Sequence, residues 1–243
     1  MLSGYQAPQP YTGAGQTGQW SVYVPPNPSG DDMGLAILLH GDGDNSATDY
    51  TNDIAWQRFA WNAQLILLSV GSPDTACWWT PRKHDRVDYL LSLLDTEVFP
   101  HARIDLDRVH MAGFSGGAFW ASGAPFYRDL PFHGGIVGVC GGDVPRENTD
   151  TDWCVTDENQ DDPALPQQET WRTISANHPL MYIRTADDPW SGNMDAAVAL
   201  WKDLGGTAEQ LVTGPGGHCE LDGDRWLRGG LARVDRKVQT SPR

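Results

Sequence analysis

Val109-His110-Met111-Ala112-Gly113-Phe114-Ser115-Gly116-Gly117-Ala118 is the stretch that decides how this 243-residue chain is read. A short apolar strand breaks at a Gly-x-Ser-x-Gly pentapeptide and continues into a helix of small residues. That is the setting of a nucleophile elbow, a strained strand-to-helix turn that lifts a serine hydroxyl out of a sheet. A side chain at Gly113 or Gly116 would collide with neighbouring backbone in so tight a turn. The pentapeptide alone is common by chance, so its weight comes from this context and from partners elsewhere in the chain.

A serine hydroxyl is a weak nucleophile unless an imidazole takes its proton and a carboxylate orients the imidazole. Both follow Ser115 in the order serine, acid, histidine. Pro179-Leu180-Met181-Tyr182-Ile183-Arg184 reads as a strand ending in Thr185-Ala186-Asp187-Asp188-Pro189, a turn that presents an acid. Gln210-Leu211-Val212 then leads into Thr213-Gly214-Pro215-Gly216-Gly217-His218, a flexible loop that delivers a histidine. Asp187 is placed ahead of Asp188, because the first acid after a strand usually points back into the site and Pro189 restricts the residue before it. The chain holds seven histidines. His218 stands apart as the one in the last loop before the final helix, with glycines that let the backbone reach inward. His40, His84, His101, His110, His133 and His178 are read as structural.

An oxyanion hole is expected from two backbone N–H groups. One belongs to Gly116, the residue after the nucleophile. The other belongs to Asp42, where the buried run Leu35-Ala36-Ile37-Leu38-Leu39 stops at His40-Gly41-Asp42-Gly43.

Strands are expected near residues 18–24, 34–40, 64–70, 107–113, 134–140, 179–185 and 208–213, and helices near 48–61, 85–98, 116–128, 193–204 and 223–236. The alternation predicts an α/β architecture, a mostly parallel sheet covered by helices on both faces. Length and the lack of a linker point to a single domain over residues 1–243. Gly4-Tyr5-Gln6-Ala7-Pro8-Gln9-Pro10 reads as a flexible lead-in. Residues 141–176, rich in acids and proline, read as an insertion, a lid or an irregular excursion. Their acids lack the fixed spacing of a calcium loop, so a solvated surface is expected there and no metal.

The elbow, the upstream His40-Gly41, the segment Ile104-Asp105-Leu106-Asp107-Arg108-Val109, the Thr185-Ala186-Asp187 turn and the Gly216-Gly217-His218 loop together resemble secreted esterases of the α/β-hydrolase superfamily. These are the poly(3-hydroxybutyrate) depolymerases and the feruloyl or acetyl xylan esterases. The resemblance covers residues 18–235. It implies an α/β-hydrolase fold and a serine esterase with Ser115 as nucleophile, His218 as base and Asp187 as acid, needing no cofactor. A polyester depolymerase is placed first and a feruloyl or acetyl xylan esterase second, ahead of a serine peptidase or an inactive binding module. Tannase-type relatives set a cysteine before the serine, bonded to one after the histidine. Here Cys219 follows His218, but Phe114 precedes Ser115.

The net charge of −15 argues against nucleic acid or an anionic membrane as partner. No apolar run approaches the ~20 residues of a membrane span. Cys77, Cys140, Cys154 and Cys219 have no metal-ligand spacing, and their even number favours two disulfides in a secreted protein, with four buried thiols as the alternative. Three pairings are open; Cys140 with Cys154 is placed first, leaving Cys77 with Cys219. Residues 1–11 lack a signal-peptide pattern, so either a leader has been removed or export does not use that route.

Eleven tryptophans are many for this length. Trp56, Trp61, Trp120, Trp201 and Trp226 fall on expected helices and read as packing. Trp78, Trp79, Trp153 and Trp190 fall in loops on the side where the candidate site gathers. Rigid indole faces suit a polymeric or bulky ester, bound by a monomer.

Overall fold

The computed structural model describes residues 4–27, 29–43, 49–73, 78, 83–142 and 168–240. Among the described residues, eight strands form one sheet: β1 (Gly4–Gly13), β2 (Gln16–Val24), β3 (Met33–Leu39), β4 (Leu65–Val70), β5 (Ile104–Phe114), β6 (Ile136–Val139), β7 (Leu180–Arg184) and β8 (Ala208–Val212). Their order across the sheet is β1-β2-β4-β3-β5-β6-β7-β8. β1, β2 and β4 pair antiparallel, and every pairing from β4 through β8 is parallel.

The parallel strands are apolar because both of their faces are covered. In β3, Leu35, Ile37 and Leu39 join the core on one face, and Ala36 and Leu38 the core on the other. The first face is packed by α2 (Lys83–Leu93), α3 (Gly116–Tyr127), α4 (Gln168–Asn177) and α5 (Ser191–Asp203). The second is packed by α1 (Ile54–Ala63) and α6 (Gly223–Thr240). Trp56, Trp120 and Trp201 are buried as expected, whereas Trp61 is exposed.

Gly4–Gly13 is a strand rather than a lead-in. Pro8 and Pro10 cannot donate to a ladder, which confines this segment to the sheet edge, and the register shifts between Gln6 and Gln9. The hairpin closes through Ala14 and Gly15, both with positive φ, at 51° and 75°. The expected helix over 48–61 begins later, because Asp53 caps α1 by accepting from the N–H groups of Ala55 and Trp56 at 2.7 and 3.0 Å. Of the expected insertion, residues 143–167 lie outside the described residues. Residues 168–177 form α4, whose Trp171 packs edge-on against Phe126, with ring centres 5.3 Å apart.

β3 pairs with β4 on one side and β5 on the other, so successive connections diverge from this point. The carboxyl ends of β3 and β5 therefore open a crevice, the place where open parallel sheets bind ligands.

Candidate active site

Ser115 sits between β5 and α3 with φ 48° and ψ −116°, a conformation that non-glycine residues rarely hold. Its neighbours enforce it. The Ser115 N–H donates to the Val139 carbonyl at 2.9 Å, and its own carbonyl accepts from Ala118 and Phe119. A Cβ at Gly113 would overlap the backbone of Gly117, one at Gly117 the carbonyls of His40 and Leu39, and one at Gly116 the Asp42 carboxyl group. All three glycines of the elbow are thus closely hemmed in.

The Ser115 Oγ lies 3.1 Å from His218 Nε2. The carboxylate beside His218 Nδ1 is that of Asp188, at 3.3 and 3.4 Å, and not that of Asp187. Asp188 is 2% exposed and also accepts from the Trp190 N–H at 2.9 Å. The turn after β7 points successive side chains in opposite directions. It leaves the Asp187 carboxylate exposed, where it accepts from the Gly216 N–H at 3.2 Å. No residue type separates two adjacent aspartates, so only the path of this turn could have chosen between them.

The cysteine pairing is likewise not the one expected. Cys140, at the end of β6, is joined to Cys219, with Cα atoms 5.2 Å apart. Parallel pairing sets the end of β6 beside β5 and β7, directly under the histidine loop. Cys77 and Cys154 lie outside the described residues. Five non-glycine residues have positive φ among the described residues, and Ser115, Cys140 and Cys219 are three of them. The Cys140 and Cys219 sulfurs lie near the His218 imidazole, but a disulfide has no thiolate to offer a metal.

Asp42 and Gly116 are brought together. The Asp42 carboxylate accepts from the Trp78 N–H at 2.8 Å. The loop before it is held by His40, whose Nδ1 pairs with the Gly41 carbonyl at 2.6 Å while its Nε2 accepts from the Ser72 N–H at 3.0 Å. Beside it, Gly41, Asp42, Tyr50, Phe114, Asp222, Gly223 and Asp224 line a cavity of about 380 Å³. Burial, with the nearby charges of Asp53 and Asp222, holds the Asp224 carboxyl above its ordinary range against the pull of Arg228.

The tryptophans divide. Trp78 is 0% exposed and stacks on Trp120, with ring centres 4.9 Å apart, so it belongs to the core and not to a substrate platform. Its position after a strand concealed this, because nothing in the local sequence reports that Trp120 waits beneath it. Trp79 and Trp153 lie outside the described residues. Trp190 is 39% exposed and meets Phe119 edge to face at 5.7 Å. Phe119 went unnoticed in the sequence; its place four residues after Ser115, one helical turn on, was the available signal.

The sequence matches no protein-family model and no curated relative. Solved structures do match. The chain superposes on the S-formylglutathione hydrolase of Staphylococcus aureus with a TM-score of 0.65 at 17% identity, over 98% of this chain and 100% of that one. A feruloyl esterase module from Clostridium thermocellum, a serine-to-alanine mutant complexed with sinapinate, gives 0.60 at 14% identity, over 97% and 87%. The acylaminoacyl peptidase of Pyrococcus horikoshii gives 0.66 at 15% identity, over 98% of this chain but 42% of that one. With the eight-stranded sheet and the strand-to-helix elbow described above, these likenesses establish that the chain has the α/β-hydrolase fold.

Proposed function

We propose that this protein is a serine carboxylic-ester hydrolase working through an acyl-enzyme. One observation carries the reading: Ser115 Oγ at 3.1 Å from His218 Nε2, with buried Asp188 against the far nitrogen of the same ring. In the proposed cycle, Ser115 Oγ attacks the ester carbonyl as His218 Nε2 takes its proton. The N–H groups of Gly116 and Asp42 receive the oxyanion, and collapse expels the alcohol, protonated by His218. Water, activated by the same nitrogen, then releases the acid. Asp188 holds the imidazole with its proton on Nδ1. Chain residues and water account for every proton and bond in this sequence.

The Trp190–Phe119 pair beside Ser115 supplies an apolar ledge for a bulky acyl or aryl group. The acid-lined cavity on the Gly41 side favours esters without negative charge. Both features suit a polyester chain, which we place first, and a feruloyl ester, which we place second; one solved structure that shares the fold is a feruloyl esterase module. A serine peptidase on the same fold ranks below these. The Cys140–Cys219 disulfide supports an exported protein, and we take the working form to be a monomer.

A fluorophosphonate probe tests the reading by labelling Ser115. Ser115→Ala and His218→Ala should each lower hydrolysis of p-nitrophenyl butyrate by at least about three powers of ten, because such residues act as a unit. Ser115→Ala retaining more than about a hundredth of parental activity sinks the assignment. Rates on polyhydroxybutyrate film, methyl ferulate and acetylated xylan then rank the substrates.

A further inference from the structure

We infer that Asp187, displaced from the role of acid, is a positioning residue: it holds the loop that carries His218 in register with Ser115 and Asp188. The inference rests on the esterase reading above and adds to it.

The loop after β8 has no ladder or helix to satisfy its backbone, so its polar groups must find partners elsewhere. They find them in the three residues before Asp188. The Thr185 hydroxyl donates to the Gly217 carbonyl at 2.8 Å, and the Ala186 N–H donates to the Gly214 carbonyl at 2.6 Å. Asp187 takes both polar groups of Gly216: its N–H donates to the Gly216 carbonyl at 3.2 Å, and its Oδ2 accepts from the Gly216 N–H at 3.2 Å. Gly216 has φ 142°, a backbone state that L side chains rarely adopt and that this two-way exchange holds. On the other side of His218, Cys219 is tied covalently to Cys140. The histidine is therefore fixed from both directions, by hydrogen bonds before it and by a covalent bond after it.

The chemistry needs that fixing. The Asp188–His218 contacts are already long, at 3.3 and 3.4 Å, so a small drift of the loop breaks them. Misplacement by about 1 Å can cost up to about a hundredfold in rate. Two adjacent aspartates thus divide the work. Asp188 needs its charge, because it faces a ring that becomes cationic. Asp187 needs only an acceptor oxygen, which an asparagine also provides.

The test compares Asp187→Ala, Asp187→Asn and Asp188→Asn with the parent, reading kcat, KM, thermal midpoint and the rate of fluorophosphonate labelling. Asp187→Ala should lower kcat and labelling about three- to tenfold, the worth of one exposed hydrogen bond, with KM within about twofold. Asp187→Asn should restore both rates to within about twofold of the parent, since the acceptor returns without the charge. Asp188→Asn should lose at least about a thousandfold. Parental rates in Asp187→Ala overturn the inference, as does an Asp187→Asn variant no better than the alanine. A loss confined to KM, or matched by a fall in thermal midpoint, also overturns it, by showing a binding or purely structural role. Asp187→Asn as inactive as Ser115→Ala would make Asp187 the acid. Full activity in Ser115→Ala would instead remove the esterase reading itself.

Discussion

Among the described residues, two histidines face buried aspartates, and the two pairs are built for opposite ends. In the first, His110 Nε2 meets Asp235 Oδ1 at 3.0 Å, and His110 Nδ1 accepts from the Gly135 N–H at 2.9 Å. Arg108 grips the same carboxylate with Nε and Nη2 at 3.0 and 3.2 Å, and Gln239 adds a donor at 2.7 Å. His110 is 0% exposed, and both of its ring nitrogens are consumed by the protein. Burial alone would raise the Asp235 carboxyl, but the hydrogen bonds and charges of His110 and Arg108 hold it below its ordinary value. This pair bolts α6 to β5. In the second pair, the His218 side chain is 32% exposed and its far nitrogen faces a serine hydroxyl. A histidine beside a carboxylate is therefore no site by itself; a site also needs an uncommitted proton path and access from solvent.

The largest effect expected of this contrast is a crossed pattern in two alanine variants. His218→Ala should lose at least about a thousandfold in activity with little change in thermal midpoint. His110→Ala should keep its activity per folded molecule yet lose about 2–3 kcal/mol of stability, because it removes one partner from a buried carboxylate. Urea unfolding and burst-corrected rates on both proteins would show it, and equal stability losses would erase the distinction.

The second prediction concerns the cross-link. Replacing Cys140 and Cys219 together by alanine should cost about 2–4 kcal/mol, as for disulfides that close long loops. It should also lower kcat, since one of the two tethers of His218 goes with it; unchanged kcat would place the disulfide outside the site's machinery.

A third histidine sharpens the comparison through pH. Burial lowers the His178 pKa from 6.5 to about 4; the hydrogen bond to the Gly134 carbonyl opposes this, and nearby His133 and His110 add to it. The unfolded chain binds this proton below pH 6.5 and the folded chain does not until about 4. Stability should therefore be level above 6.5 and fall between 6.5 and 4, by roughly 3 kcal/mol. The depressed carboxyl of Asp235 adds stability that is lost at still lower pH. His178→Asn should flatten the urea midpoint across that window while leaving the pH dependence of kcat in place. A shift in the rate profile would show that the two regions are coupled.

The smallest effect is on substrate. Trp190→Ala should raise KM for a feruloyl or polyester substrate about fivefold, the worth of one stacked ring, and hardly touch p-nitrophenyl acetate. Equal losses on both would make the indole structural, a support for the turn whose backbone N–H at Trp190 donates to Asp188.

Much of this was legible in the chain because it rests on local chemistry. A run such as Leu35–Leu39, short, apolar at every position and followed by the His40-Gly41 turn, reads as a strand covered on both faces. Gly113, Gly116 and Gly117 around Ser115 announce a turn that tolerates no side chain, and the glycines before His218 announce a loop that can reach inward. These features follow from sterics and periodicity within a few residues, and so does the α/β architecture they compose; its α/β-hydrolase form was what the resemblance implied. Asp187 against Asp188, Cys154 against Cys219 as the partner of Cys140, and Trp78 as core rather than platform are different in kind. Each depends on which groups the sheet brings together from strands far apart in sequence: the turn beyond β7 against the loop beyond β8, the end of β6 beneath that loop, and Trp120 on α3 beneath Trp78. Even the edge strand Gly4–Gly13, with two prolines against it, exists because β2 offers it a ladder. Residue chemistry determined what is proposed for Ser115, and the parallel sheet decided which side chains stand beside it, because only tertiary pairing sets distances between side chains remote in sequence.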